Sequence, residues 1–124
     1  MKILVVEDSI YIRDRIKKLL KQIPYTQITG FFDNSADAFD DIKINQPEIV
    51  IIDIFLKNGS GLELISQIKT IYPDITVIVF TNYAIPFFEK KCKDAGVNHF
   101  LDKSEDFEKI FDIINEFQKV NPEF

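Results

Sequence analysis

Cysteine and histidine are almost missing from the 124-residue sequence, which has only Cys92 and His99. With a single cysteine, no intrachain disulfide can form, as expected for a protein of a reducing compartment. A zinc site built from Cys and His side chains is also excluded, because it takes about four such ligands.

Basic charge is scarce as well, since 15 Lys and Arg stand against 20 Asp and Glu and give a formal net charge of -5. Surfaces that bind nucleic acid need clustered Lys and Arg to neutralise phosphates. The densest basic segment, 89–96, is interleaved with acids and is typical of a solvated helix face. We therefore expect no direct binding of nucleic acid.

Long apolar runs are absent, and none approaches the roughly 20 residues of a membrane-spanning helix. The first eight residues also lack the apolar region and small-residue cleavage site of a secretory signal. We therefore expect a cytoplasmic location and no membrane association. The length favours one domain over residues 1–124, with 119–124 as a frayed tail.

Five short apolar runs are present, over residues 2–6, 27–32, 48–53, 75–80 and 97–101. The first, third and fourth are almost continuously apolar, which is typical of parallel strands buried on both faces. A helical pattern follows each run, and we predict N-caps at Ser9, at Asn34 or Ser35, and at Ser104, with Pro86 in the first turn of the fourth helix. This alternation predicts an α/β fold, a doubly wound five-stranded parallel sheet with helices on both faces.

Polar side chains follow four of the predicted strands. Glu7 and Asp8 end the first run, Asp53 the third and Thr81 the fourth, and Lys103 follows the fifth. In open α/β sheets the ligand site lies outside the carboxyl ends of the strands. Three clustered carboxylates suit a hard divalent cation such as Mg²⁺, and an amine and a hydroxyl suit phosphoryl oxygens. A carboxylate in that setting can attack a phosphoryl group to give an aspartyl phosphate.

Four segments resemble the receiver domain of response regulators, the CheY-like fold: VVEDS, IIDIFLKNGSGLELI, VFTN and DAGVNHFLDKS. They occur in the family's order and on the expected elements, and the resemblance covers residues 1–118. It implies the strand order 2-1-3-4-5.

The resemblance also implies a role for each matching residue. Asp53 would accept the phosphoryl group, and Thr81 and Lys103 would bind it. Phe100 stands where the family has an aromatic rotamer switch. Mg²⁺, with Mn²⁺ as an alternative, would be held by the side chains of Glu7, Asp8 and Asp53 and by the carbonyl oxygen of Phe55. No other cofactor is implied.

The expected function is that of a signalling receiver, which catalyses only its own phosphotransfer and autodephosphorylation. The donor would be a histidine kinase or a phosphotransfer protein. The surface of the fourth helix, fifth strand and fifth helix would then control a downstream protein or an effector domain missing from this chain. The chain is either a stand-alone receiver or a fragment of a larger regulator, and a phosphorylation-dependent dimer is a further alternative.

Some positions depart from the family's pattern. Lys57 stands where many members have proline, and Asn82 replaces the small residue common after the threonine. Phe55 and Tyr83 lie two positions after Asp53 and Thr81, where the family's side chains flank the approach of water. Two rings and the bulk of Asn82 should restrict access and prolong the phosphorylated state.

Three other interpretations stay open. A haloacid-dehalogenase-like phosphatase also uses an aspartate nucleophile but needs a second Asp two residues later, where this chain has Phe55. A flavodoxin-like cofactor binder needs a phosphate-binding loop after the first strand, where this chain has acids. A pseudo-receiver would dock partners without phosphorylation.

Gly59 and Gly61 are predicted turn residues with unusual dihedral angles, not a phosphate loop.

Overall fold

Strands and helices alternate along the chain in a computed structural model that describes residues 1–122. The elements in chain order are β1 Lys2–Val6, α1 Ile10–Leu20, β2 Gln27–Phe32, α2 Ser35–Asn45, β3 Ile49–Ile52, α3 Gly61–Ile71, β4 Thr76–Thr81, α4 Pro86–Asp94, β5 His99–Asp102 and α5 Phe107–Val120. Within residues 1–122, no helix is both long and apolar enough to cross a membrane.

All neighbouring strands pair in parallel, in the order β2-β1-β3-β4-β5, which confirms the predicted fold class and strand order. One row of paired residues crosses the whole sheet: Phe32, Val6, Ile52, Val79 and Phe100. The residues that follow this row lie at or near the carboxyl ends of the strands. The polar residues singled out in the sequence therefore share one edge of the sheet.

The apolar core has one layer on each face of the sheet. One core cluster lies under α2, α3 and α4 and includes Val6 and Val79. The other lies under α1 and α5 and includes Val5 and Ile51. Successive strand residues alternate between the two clusters, and both faces are buried. This explains why the strands of the sheet centre are almost continuously apolar.

Side-chain caps begin three of the helices. The hydroxyl of Ser9 accepts a hydrogen bond from the Ile12 N–H, and the side chain of Asn34 accepts one from the Asp37 N–H at 2.9 Å. The N-caps predicted at Ser9 and Asn34 are therefore confirmed, and Pro86 is the first residue of α4. Such caps satisfy N–H groups that have no partner within the helix.

The N-cap predicted at Ser104 is wrong. Asp106 precedes the first residue of α5, and the Ser104 hydroxyl and N–H both donate to the Asp102 carboxylate, at 2.7 and 2.8 Å. Asp106 in turn accepts from the Asp102 N–H at 2.9 Å. The two acids therefore close a turn after β5, which directs the Ser104 side chain back to Asp102 and lets α5 begin only after Asp106.

The two ends of the last β/α unit also differ from prediction. β5 begins at His99 because the side-chain oxygen of Asn98 accepts from the Val77 N–H, at 2.8 Å, and continues the ladder in place of backbone. α5 continues through Val120, so Lys119 and Val120, predicted as tail, are helical. The last two residues of the predicted tail, 123–124, lie outside the described residues.

Candidate functional site

The sheet edge holds the buried polar side chains of residues 1–122. Four polar or charged residues are buried there, and all four were singled out from the sequence: Glu7, Asp53, Thr81 and Lys103. Backbone hydrogen bonds continue the sheet past the strands to three of them, and the first is donated by the Glu7 N–H to Phe32 O at 2.8 Å. The Asp53 N–H donates to Val6 O at 3.0 Å, and the Lys103 N–H donates to Thr81 O at 2.9 Å.

The ammonium group of Lys103 joins two of the predicted acids. Its Nζ lies 2.6 Å from Glu7 Oε1 and 2.7 Å from Asp53 Oδ2. The second oxygen of each carboxylate accepts a backbone N–H, from Ser9 at 3.0 Å and from Phe55 at 3.2 Å. Every oxygen of the two buried carboxylates therefore has a hydrogen-bond donor, as buried charges require.

The pKa values reflect competition between burial and pairing. Burial raises the pKa of Glu7, and the hydrogen bonds from Lys103 and from the Ser9 N–H offset only part of that rise. Burial lowers the pKa of Lys103, but the hydrogen bonds to Asp53 and Glu7 outweigh it, so the net shift is upward. Lys103 is therefore a cation at neutral pH.

Strand alternation divides the four buried residues between the two faces of the sheet. Thr81 follows Val77 and Val79 in the alternation, and these point toward α2, α3 and α4. The other three continue rows that point toward α1 and α5: Glu7 follows Val5, Asp53 follows Ile51, and Lys103 follows Leu101, each by two positions. The ion pairs therefore lie on one side of the edge and the Thr81 side chain on the other.

Thr81 is completely buried, and its hydroxyl oxygen accepts a hydrogen bond from the Tyr83 N–H at 3.1 Å. This bond closes a turn at the end of β4, a common use of a Thr hydroxyl. Asn82, between these two residues, is exposed. The resting position of the Thr81 hydroxyl thus depends on the backbone position of Tyr83.

An aromatic group covers the neighbouring loops, and we name Phe55, Tyr83 and Phe88 the ring cluster. The ring centroids of Phe55 and Tyr83 are 4.3 Å apart, and Phe88 meets Phe55 edge-on at 5.2 Å. Phe55 is 45% exposed and Tyr83 is 50% exposed, so these two rings are open to solvent. The two predicted access residues therefore meet, and Phe88 is a third member that no sequence signal indicated.

Two glycines shape the loop between β3 and α3, for different reasons. Gly59 has a φ of 86°, which confirms its unusual dihedral. The same prediction for Gly61 is wrong, since its φ is not positive. Gly61 is needed for a close approach, because a Cβ there would lie 2.6 Å from Ile54 Cα and closer still to the Asp53 carbonyl oxygen. α3 thus begins against the backbone that carries Asp53.

The remaining predicted site residues lie at the edges of this arrangement. Asp8 is half-buried in the loop between β1 and α1. Phe100 is half-buried on β5 and packs against the core cluster under α2, α3 and α4. Arg13, which no sequence pattern singled out, donates from Nε to the carbonyl oxygen of Glu7 and connects α1 to the end of β1.

A divalent cation suits the donor chemistry of this site. Among residues 1–122, no three His, Cys, Asp or Glu side chains are arranged to hold a metal ion, and the Lys103 ammonium lies between Glu7 and Asp53. Two buried carboxylates nevertheless face a single buried ammonium, and Asp8 directly follows Glu7 in the chain. Hard oxygen donors with excess negative charge are what Mg²⁺ prefers.

The sequence pattern of the family described as "Response regulator receiver domain" matches residues 3–115, and the chain belongs to this family. The sensory transduction protein LytT of Bacillus anthracis is 30% identical over 122 residues, which cover 96% of this chain and 48% of LytT. The chain spans about half the length of the curated relatives it matches first.

Solved structures of similar fold include DNA-binding response regulators. One of the LuxR family from Staphylococcus aureus has a TM-score of 0.84 and 27% identity, covering 93% of this chain and 96% of that one. RcsB from Salmonella enterica serovar Typhimurium, solved bound to promoter rprA with the phosphomimetic BeF3-, has a TM-score of 0.81. It is 22% identical, and the match covers 89% of this chain and 63% of RcsB.

These likenesses bear on two earlier expectations. Family membership decides against the dehalogenase-like phosphatase and the flavodoxin-like cofactor binder. The expectation of no direct nucleic-acid binding is not supported, because RcsB is a similar protein whose structure contains DNA. At 22% identity that likeness shows a shared fold alone.

Proposed function

We propose that this chain accepts a phosphoryl group on Asp53 from a phosphohistidine of a kinase or phosphotransfer protein. The observation that carries the proposal is the buried ion pair at the end of β3, where Lys103 Nζ lies 2.7 Å from Asp53 Oδ2. A buried carboxylate oriented by an ammonium and by the Phe55 N–H is a pre-positioned nucleophile.

In the proposed transfer, an oxygen of Asp53 forms a bond to phosphorus as the phosphorus–nitrogen bond of the donor breaks. The electron pair of that bond remains on the donor imidazole, which takes up a proton. Lys103 neutralises charge on the phosphoryl oxygens, and the catalysis consists of positioning and electrostatic stabilisation. The Phe55 N–H fixes the plane of the Asp53 carboxylate during the attack.

The metal in this proposal is Mg²⁺, with Mn²⁺ as an alternative. The side chains of Glu7, Asp8 and Asp53 and the carbonyl oxygen of Phe55 would hold it. When bound, it supplies positive charge that neutralises the phosphoryl oxygens during transfer. Glu7 and Asp53 would then divide their oxygens between this cation and the ammonium of Lys103.

The proposed signal is a shift between two packings of the domain. Thr81 turns toward the phosphoryl group, and Phe100 moves into the space that it leaves. The surface of α4, β5 and α5 changes with them and contacts a downstream protein or an effector domain of a longer regulator. We propose that residues 1–124 form a single receiver domain in either case.

Labelling with acetyl phosphate and Mg²⁺ tests the proposed function. The mass should rise by one phosphoryl group, and the adduct should survive acid but not alkali or hydroxylamine. Asp53→Asn should abolish labelling, whereas Asp74→Asn, an exposed acid at the opposite edge of the sheet, should label normally. Label that persists on Asp53→Asn would exclude this nucleophile. A parent protein that no donor labels would favour the phosphorylation-independent pseudo-receiver.

A further inference from the structure

The two groups that must respond to a phosphoryl group are held in the same way. The Phe55 N–H donates to Asp53 Oδ1 at 3.2 Å, and the Tyr83 N–H donates to Thr81 Oγ1 at 3.1 Å. In each case the donor lies two residues after the group it holds. The rings of these same two donor residues are in contact, with centroids 4.3 Å apart. Hydrogen bonds and ring contact thus connect Asp53 to Thr81.

The connection extends to α4 through one further ring. Phe88, on the first turn of α4, lies 5.2 Å from the ring of Phe55 and 6.4 Å from that of Tyr83. All three rings meet in the tilted or edge-on orientations that aromatic pairs favour. A displacement of Tyr83 therefore changes the contacts of α4.

We propose that Phe55 and Tyr83 are positioning residues whose ring contact holds the Thr81 hydroxyl in its resting orientation. This inference rests on the proposed function and adds a determinant of its switch. The Thr81 side chain follows the strand face that points toward α2, α3 and α4, away from the Lys103–Asp53 ion pair. Its hydroxyl must reorient to reach a phosphoryl group on Asp53. The bond from the Tyr83 N–H opposes that motion for as long as the rings hold Tyr83 in place.

The size of the effect follows from the strength of an aromatic pair. Loss of such a contact shifts a two-state equilibrium by roughly two- to tenfold. The proposal requires the contact to be weaker in the arrangement that binds a phosphoryl group, so its loss should favour that arrangement. A ligand that mimics phosphoryl should then bind more tightly by the same factor.

The test uses the whole chain, Mg²⁺ and beryllofluoride, a phosphoryl mimic. Affinity is measured by calorimetry, and the Thr81 methyl resonance reports the orientation of that side chain. Phe55→Leu keeps an apolar side chain at a position that is 45% exposed, and thus should fold. We expect beryllofluoride to bind about two- to tenfold more tightly to it than to the parent. Its Thr81 methyl shift without ligand should move toward the ligand-bound value.

Two further variants separate ring contact from general packing. Tyr83→Phe keeps the ring and should retain the parent's affinity and Thr81 shift. Phe87→Leu removes an exposed ring that contacts Phe88 at 5.1 Å from outside the ring cluster, and it too should match the parent.

The failures are distinguishable. If the parent binds beryllofluoride but Phe55→Leu binds it equally or more weakly, with the Thr81 methyl shift unchanged, the inference is overturned and the proposed function stands. If neither protein binds beryllofluoride in Mg²⁺, the proposed function is overturned and the inference with it.

Discussion

Asp53 has charged side chains on one side, which we call the charged side, and aromatic side chains on the other, the aromatic side. On one side, Glu7 and Lys103 form with it a buried group of three charges, in which Lys103 pairs with both acids. On the other side, Phe55 and Tyr83 form a half-exposed aromatic contact. In the proposed function, the charged groups supply the chemistry of phosphoryl transfer, and the rings limit access to Asp53 and hold Thr81 in its resting orientation. We therefore expect changes on the charged side to affect phosphoryl transfer itself, and changes on the aromatic side to affect the lifetime of the phosphorylated state and the ease of switching.

The largest expected effect comes from breaking the charged side. Lys103→Met should lower the free energy of unfolding by about 3 kcal/mol at neutral pH, because it leaves two buried carboxylates without their cation. Chemical denaturation in metal-free buffer measures this. Lys109→Met is the matched control: its ion pair with Asp106 is 3.0 Å long but the lysine side chain is 63% exposed, so the loss should stay below about 1 kcal/mol.

The pH dependence of Lys103→Met distinguishes charge from packing. Without the ammonium, the burial that already raises the pKa of Glu7 acts with less opposition, so its folded-state pKa rises further. A carboxyl whose pKa is raised by folding contributes stability at low pH and loses it as pH rises. The deficit of Lys103→Met relative to the parent should therefore shrink as the pH falls from 7 toward 5. A deficit that is constant over that range would mean that lost packing, not charge, is responsible.

The second effect comes from the aromatic side and concerns the lifetime of the phosphorylated state. Hydrolysis of an aspartyl phosphate needs a water molecule in line with the bond that breaks, and two rings beside that path should exclude it. If the rings add about 1.4 kcal/mol to the barrier, hydrolysis is about tenfold slower. The double variant Phe55→Asn with Tyr83→Glu should therefore lose phosphate about tenfold faster than the parent in Mg²⁺.

Phe87→Leu, outside the ring cluster, should lose phosphate at the parent's rate. Equal rates for the parent and the double variant would rule out shielding by the rings. A parent that hydrolyses faster than the double variant would assign the opposite role to Tyr83, with its hydroxyl assisting the water.

The charged side was largely predictable from the sequence, and the aromatic side only in part. Parallel strands bring their carboxyl ends to one edge, so residues placed after strands must converge whatever the details of packing. Which carboxylates Lys103 joins depends on side-chain directions beyond the strand ends, where sequence gives little information. Phe88 comes from a helix that follows an irregular loop, and no spacing rule relates it to Phe55.

The boundary errors at the starts of β5 and α5 share one physical cause. At Asn98 and Ser104, side chains form hydrogen bonds that backbone groups or a cap were expected to form. Local propensity does not distinguish these alternatives, because Asn and Ser favour both caps and turns. The errors moved the ends of β5 and α5 but left their order and faces unchanged. The predicted position of Lys103 was unaffected by these errors, because its backbone N–H is hydrogen-bonded to the carbonyl oxygen of Thr81.

The smallest expected effect is the stabilisation of the folded protein when Mg²⁺ binds on the charged side. Lys103 offsets only part of the negative charge of Glu7, Asp8 and Asp53, so Mg²⁺ should bind the folded protein and stabilise it by mass action. At a free concentration about three times its Kd, the gain is about 0.8 kcal/mol, or about 3–5 °C in melting temperature. Melting curves with Mg²⁺, against NaCl of equal ionic strength, measure it. Asp8→Asn should reduce the rise, whereas Asp74→Asn, at the opposite edge, should keep it. A melting temperature that ignores millimolar Mg²⁺ in the parent would mean that Lys103 alone balances the buried carboxylates.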